Sequence, residues 1–259
     1  MDSLTFINLG NKAFSEGNYP KALHCYQKAL ESGKGGPLWV ADLYGNIGNV
    51  YAAMGKVGAA VRFYQKSVEI LRREEAYSRL GMTFVNIGNI YADQGNGVKA
   101  FHFYKQGELL LEQEGEFDSL STLFGNLSLL CLKQSDHQAA LDYAKKGILF
   151  AKRLNQPIRL AEASHRMAKV KDRLGEVREA LLLSQSAFEI FRNLNDEMGM
   201  ASTLFHQAEL FEREHDIQSA IRCLEKVVFI DEKYQLPKLL ENRARLFRLR
   251  EIVKSREKA

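Results

Sequence analysis

The chain has 259 residues, 46% apolar and 26% charged, with only four prolines, the composition of a soluble folded protein and one that argues against disorder. Its longest apolar runs, such as Leu181 to Leu183 and Val227 to Ile230, are far too short to cross a bilayer, and the separated cysteines Cys25, Cys131 and Cys223 argue against a zinc site. The net charge of +4 is uneven: residues 238 to 259 carry eight Lys/Arg against three Asp/Glu, and the remainder is close to neutral.

Alanines 22, 60, 100, 140, 180 and 220 recur at a spacing of 38 and then of 40, which divides the chain into six copies of one pattern. The first copy, about residues 3–34, has Gly10, a break at Glu16-Gly17-Asn18, then Ala22, Tyr26 and Ala29. The glycine-rich stretch Ser32-Gly33-Lys34-Gly35-Gly36 follows; it lacks GxxxxGK[ST] and no strand precedes it, so it reads as a loop between repeats. The second copy (41–74) repeats the series with Gly48, Met54-Gly55-Lys56, Ala60, Tyr64 and Ser67, and the third (81–114) with Gly88, Gln94-Gly95-Asn96, Ala100, Tyr104 and Gly107. In the fourth (121–154) the slots hold Ser128, Ser135-Asp136, Ala140, Ala144 and Gly147, and in the fifth (161–194) Ala168, Leu174-Gly175-Glu176, Ala180, Ser184 and Ala187. The sixth (201–234) has Ala208, Glu214-His215-Asp216, Ala220, Leu224 and Val227.

Apolar and small residues three and four apart place a stripe on one helical face, and each copy holds two such stripes separated by its break. Glycine can end one helix there and a polar residue can begin the next, so each unit is a predicted helical hairpin. The small residues let the paired helices approach closely. Lys171 and Gln207 stand where earlier copies have apolar residues, which predicts looser packing or a slightly altered register in the last two copies. Beyond Pro237, the residues Leu239, Leu246, Leu249 and Val253 fall at helical spacing, so residues 237–259 are expected to form a basic C-terminal capping helix.

The segments Leu9-Gly10, Ile47-Gly48-Asn49-Val50-Tyr51 and Ile87-Gly88-Asn89-Ile90-Tyr91, with the spaced alanine and aromatic after them, resemble tetratricopeptide repeats across nearly the whole chain. The 40-residue period and linkers such as Asn195-Asp196-Glu197-Met198-Gly199 are similar to those of kinesin light chain and Pins-type G-protein-signalling modulators. The implied fold is all-α, a right-handed superhelical solenoid of six helical hairpins plus the capping helix. The implied function is a non-catalytic scaffold that binds a peptide segment of a partner protein in its concave groove.

First helices of such a stack line the inner wall, so equivalent residues form ladders. Asn8, Asn46, Asn86 and Asn126 share one slot, and Asn11, Asn49 and Asn89 a second slot three residues later. Asparagine is a poor choice inside a helix, and its carboxamide can both donate to and accept from an extended peptide backbone. The competing expectation is that these amides pin adjacent repeats together. Farther along, the wall carries Arg166 and His206 with His165, Lys169 and Arg173, among Glu162, Asp172, Glu209 and Glu212, which predicts docking of an acidic segment of the partner. Ion pairs Glu162–Arg166 and Glu209–Arg213 along one helix face are the plainer alternative.

The resemblance also brings a clamp for a chaperone's terminal carboxylate. Asn11 and Asn46 match its amide members, but Ile7, Met82 and Asn86 stand where Lys or Arg is needed, so no such ligand is expected. The six histidines show no HExxH or close pairing, and no catalytic residue, metal or cofactor is expected. Asn126-Leu127-Ser128 matches a glycosylation acceptor but falls within a predicted helix. With Met1-Asp2-Ser3 opening no leader pattern, the expected location is the cytoplasm. Two alternatives remain: self-assembly through Phe63, Phe101, Phe103 or the Trp39 loop, and nucleic-acid or anionic-surface binding through Arg243, Arg245, Arg248, Arg250, Lys254, Arg256 and Lys258.

Overall fold

A computed structural model describes residues 2–33 and 35–257. Lys34 of the glycine-rich loop, Lys258 and Ala259 lie outside the described residues, as does the side chain of Arg256. Among the described residues there are thirteen helices and no strand. They pair as α1 (Ser3–Ser15) with α2 (Tyr19–Glu31), α3 (Pro37–Ala53) with α4 (Val57–Arg73), and α5 (Tyr77–Asp93) with α6 (Gly97–Gln113). The series continues with α7 (Phe117–Lys133) and α8 (His137–Arg153), α9 (Pro157–Arg173) and α10 (Val177–Asn193), α11 (Glu197–Arg213) and α12 (Ile217–Tyr234), and ends with α13 (Leu239–Glu257).

Each hairpin turn is closed by the same local chemistry. The amide three residues past the last helical residue turns back to bond a carbonyl five residues earlier, as in Asn96 to Tyr91 at 2.8 Å and Asp136 to Cys131 at 2.9 Å. This requires one residue in the left-handed region, which Gly95 supplies without strain at φ 75°. Ser135 and His215 take the same conformation at φ 63° and 61°, so the two breaks lacking glycine work identically. The next residue then caps the second helix: Asn18, Asn96, Asp136 and Asp216 each accept from a backbone amide three residues on.

The chain divides into two compact units, Met1–Leu123 and Phe124–Ala259, with the boundary inside α7. In the first, Ala13, Ala22, Tyr26, Leu43 and Ile47 form one core, and Tyr64, Leu71, Leu80, Phe84 and Ile87 the next, so packing passes from hairpin to hairpin. In the second, Ala140, Ala144 and Met167 join α8 to α9, and Phe188, Leu204, Leu224, Leu246 and Leu249 join α10 through α13. Each fully buried leucine, isoleucine, phenylalanine or methionine among them contributes about 1.5–3 kcal/mol.

α13 docks on α12 through Leu246 and Leu249, and through a buried bond from Asn242 Nδ2 to Asp231 Oδ2 at 2.7 Å. Its cations are largely paired: Arg243 with Glu232, Arg245 with Glu212, Arg250 with Glu225 and Lys254 with Glu251. At Lys171 and Gln207, the packing is adjusted by polar contacts. Lys171 turns outward to Glu176 and Glu179, and Gln207 lies buried beside Ser184 and Cys223.

Candidate functional site

The second amide slot is occupied within each hairpin of the first unit. Tyr26 donates its hydroxyl hydrogen to Oδ1 of Asn11 at 2.7 Å, Tyr104 to that of Asn89 at 2.8 Å, and Tyr64 makes the same bond to Asn49. Each tyrosine comes from the second helix and lies against the glycine that precedes the asparagine. A Cβ at Gly10 would stand 2.6 Å from the Tyr26 ring, and one at Gly48 2.9 Å from the Tyr64 ring. Burial raises the pKa of all three hydroxyls and keeps them protonated as donors.

In the last three copies the trio changes as a set, to Ser128, Leu129 and Ala144, then Ala168, Lys169 and Ser184, then Ala208, Glu209 and Leu224. Glycine makes room for the ring and the amide receives its hydroxyl, so this ladder accompanies the tyrosine. The bond ties first helix to second within one hairpin, not one hairpin to the next as expected.

In the first slot, Asn8 is exposed and Asn46 and Asn86 are half-buried. A hollow of about 490 Å³ in the first unit gathers Asn49, Asn86 and Asn89 around Ala52, Ala53 and Ile90. Asn8, Asn11 and Asn46 do not line it. Asn126 belongs to the second unit, half-buried in the slot that continues as Arg166 and His206.

There the two histidines are interior residues, His165 at 7% and His206 at 3% exposure. Their rings meet edge to face at 5.6 Å. His165 Nε2 lies 3.1 Å from Ser202 Oγ, and His206 Nε2 3.1 Å from Asp172 Oδ2, a carboxylate that also receives Arg213. Burial first, and then the positive Lys169, depress the His165 pKa to about 3. Burial also lowers that of His206 against the opposing pull of Asp172. Both rings are neutral at neutral pH, so neither supplies the positive charge expected of it.

The positive groups on this wall are Arg166, Lys169 and Arg173. Arg166 runs across the face of Gly125 and reaches Glu162 at 4.0 Å, with Arg159 on the same carboxylate at 3.2 Å. Lys169 is half-buried, and its pKa is lowered mainly by that burial and next by Arg166. Arg173 is exposed. The expected Glu209–Arg213 pair does not form: Arg213 goes to Asp172, and Glu209 faces Arg245 of α13 at 3.9 Å. A partner across the repeat fixes the guanidinium more fully than one turn of its own helix.

Other expectations meet the geometry as follows. Phe63 stacks on Tyr51 at 5.4 Å and Phe103 on Tyr91 at 5.6 Å, so neither is a free surface aromatic; Phe101 is exposed. Trp39 is half-buried against Gly35. All three cysteines are buried thiols. Among the described residues no group of three or more His, Cys, Asp or Glu could hold a metal ion, and no helix is long and apolar enough to cross a membrane.

Residues 7–253 match the family model described as the MalT-like TPR region. No curated protein matches the chain. Among solved structures, a Rap protein complexed with Competence and Sporulation Factor is similar with a TM-score of 0.72 at 12% identity, over 98% of this chain and 87% of that one. The Rap conjugation gene regulator of plasmid pLS20, in complex with the Phr* peptide, is similar with a TM-score of 0.68 at 17% identity, over 96% and 74%. BtubC from P. vanneervenii gives 0.61 at 18%, over 73% and 80%. At these identities the likeness is one of fold.

Proposed function

This chain belongs to the MalT-like TPR family, and from that premise we propose that it is a non-catalytic scaffold that holds a peptide segment of a partner protein against the wall formed by its first helices. The observation that carries this reading is the hollow of about 490 Å³ in the first unit, where the half-buried amides of Asn49, Asn86 and Asn89 surround an alanine floor. Small apolar side chains of the ligand fit Ala52 and Ala53, and the carboxamide of Asn86 is left to read backbone groups. Each such bond contributes about 0.5–1.5 kcal/mol, so several contacts act together. Two of the similar Rap structures are themselves complexes, one of them with the Phr* peptide.

On the second unit, Lys169 and Arg173 have no ion pair among the described residues, and an acidic stretch of the partner would be received there, beside Arg166. The buried free thiols agree with a cytoplasmic location. A chaperone carboxylate is not the proposed ligand, for Ile7, Met82 and Asn86 offer it no cation. The alternatives lose support from packing. Four of the cations that the anionic-surface reading of α13 uses are already held by Glu212, Glu225, Glu232 and Glu251, which leaves Arg248 among the described side chains. Of the rings offered for self-assembly, Phe63 and Phe103 are already stacked, which leaves the exposed Phe101 and the half-buried Trp39.

The test is a peptide selected from a random display library on the wild-type chain and then titrated against Asn86→Ala and Asn126→Ala. Helicity should be unchanged in both variants, and Asn86→Ala should weaken the peptide roughly threefold to tenfold. An unchanged affinity in both removes the inner-wall assignment.

A further inference from the structure

A second groove lies on the opposite, second-helix side of the last repeats, between α10 and α12 with α11 as its floor. Its volume is about 460 Å³, and Phe188, Leu204, Phe211 and Cys223 give it an apolar lining. That size and mixture are those of a site for an apolar group with a few polar anchors.

One anchor is out of place for a repeat core. Gln207 lines this groove at 4% exposure, in a slot that holds Leu9, Ile47, Ile87, Leu127 and Met167 in the other five copies. A buried carboxamide needs good partners, because leaving its donors and acceptor unmet is costly. Here its Nε2 reaches Ser184 Oγ only at 3.4 Å, and its Oε1 faces only the weak donor Cys223 Sγ at 4.0 Å. Both contacts sit at the outer limit of hydrogen bonding.

The rim has a definite charge. Glu225 is held by Arg250 at 2.6 Å, and in an adjoining hollow of about 310 Å³ Glu197 is held by Lys233 at 2.8 Å. Asp216, whose carboxylate senses Arg222, is committed to Ser219 at the start of α12. Arg222 donates to the Ser219 hydroxyl at 2.7 Å, and Lys226 stands 5.9 Å from the Phe188 ring; neither has an ion pair among the described residues. Phe229, 66% exposed, extends the apolar surface into the adjoining hollow. Glu225 and Glu197 are paired with cations, whereas Arg222 and Lys226 are in no ion pair among the described residues.

We propose that the groove between α10 and α12 is a second docking surface, distinct from the inner wall, for a partner segment that carries an apolar side chain followed by an acidic one. The apolar side chain fills the space over Leu204 and Phe211, the carboxylate meets Arg222 and Lys226, and a backbone amide of the segment completes the hydrogen bonding of Gln207. The chain then holds two segments at once, one on the first-helix wall and one in this groove.

The test uses the full chain, isotope-labelled for NMR, titrated with the blocked peptide acetyl-Ala-Leu-Glu-Ala-amide and with two controls in which Leu becomes Ser or Glu becomes Lys. The Leu-Glu peptide is expected to shift the side-chain amide of Gln207 and to bind at least about tenfold more tightly than either control. Gln207→Leu, which restores the side chain of the other copies and should fold, and the exposed substitution Arg222→Gln should each weaken it by about the same factor. Asn86→Ala should leave it unchanged, so failure here and failure of the inner-wall reading are separable. The proposal is overturned if the Glu-to-Lys control binds equally, if both groove variants retain wild-type affinity, or if no peptide perturbs Gln207.

Discussion

Glycine, asparagine and tyrosine form one device in each of the first three hairpins, although they stand up to sixteen residues apart. Removing the hydroxyl alone, by Tyr104→Phe, deletes one neutral bond to Asn89 and should cost about 0.5–1.5 kcal/mol. Gly88→Ala should cost more, about 1–3 kcal/mol, because its Cβ would stand 2.5 Å from a ring that is buried and has nowhere to move. Urea unfolding of the two variants checks the order, and equal or reversed costs would mean the ring is free to shift. The recurrence of the asparagines is legible in the chain; their partner is not apparent from spacing along one helix, only from the joint loss of glycine, amide and tyrosine in copies four to six. The histidines behave differently. His165 has a folded pKa of about 3 against an ordinary 6.5, and His206 is also lowered. Below pH 6.5 the unfolded chain therefore binds protons that the folded chain refuses, so stability is complete above 6.5 and is lost as pH falls towards 3. For His165 alone the loss between pH 7.5 and 5 is about 2 kcal/mol. Denaturant midpoints measured at pH 7.5 and 5 should differ accordingly in the wild type, and the difference should shrink in His165→Gln; an undiminished difference would assign it to other groups.

Helix ends, more than helix existence, separate the sequence reading from the structure. All six hairpin breaks are legible, because glycine or a small polar residue followed by a capping side chain interrupts an apolar stripe. The first helices start at Pro37, Tyr77, Phe117, Pro157 and Glu197, each four residues before the approximate repeat bound read from the sequence. The cause is the linkers between repeats, where Glu75, Asn155 and Asn195 adopt left-handed backbone with no glycine to mark it, so helices resume almost at once. α13 shows the same limit in its charges. Its cations read as an unspent basic surface along the helix, but Glu212, Glu225 and Glu232 on the preceding hairpin take up Arg245, Arg250 and Arg243. Asn242 and Asp231, both polar and both buried against each other, add a contact beside the leucines that the helical spacing does not reveal. A stripe of leucines fixes which face of α13 is inward, and only the packed neighbour fixes what each polar residue does.

Across the whole chain, one repeat pattern carries two wall chemistries. In the first unit the hollow around Asn86 is lined mainly by amides, apolar side chains and the rings of Phe14 and Tyr64, with Asp93 its one charged residue. In the second unit the equivalent slots hold Arg166 and Lys169, with Arg173 a turn beyond, and the buried histidines between them add no charge. These two surfaces should respond in opposite ways to salt, because screening shortens the reach of charges from about 8 Å at 0.15 M to about 3 Å at 1 M and leaves neutral hydrogen bonds nearly untouched. A fluorescent oligo-glutamate peptide should therefore lose roughly tenfold or more in affinity over that range, as expected for contacts steered by charge. The peptide selected on the Asn86 hollow should change by less than about twofold. Lys169 decides the case, since it is half-buried and in no ion pair among the described residues, with Glu209 acting on its charge only at longer range, so an incoming carboxylate would gain a charge-assisted bond there. Lys169→Gln should weaken oligo-glutamate at low salt and flatten its salt dependence, leaving the neutral peptide as it was. If the variant keeps the steep dependence, the acid is held elsewhere, and the positive wall of the second unit is a solvated face and not a binding surface.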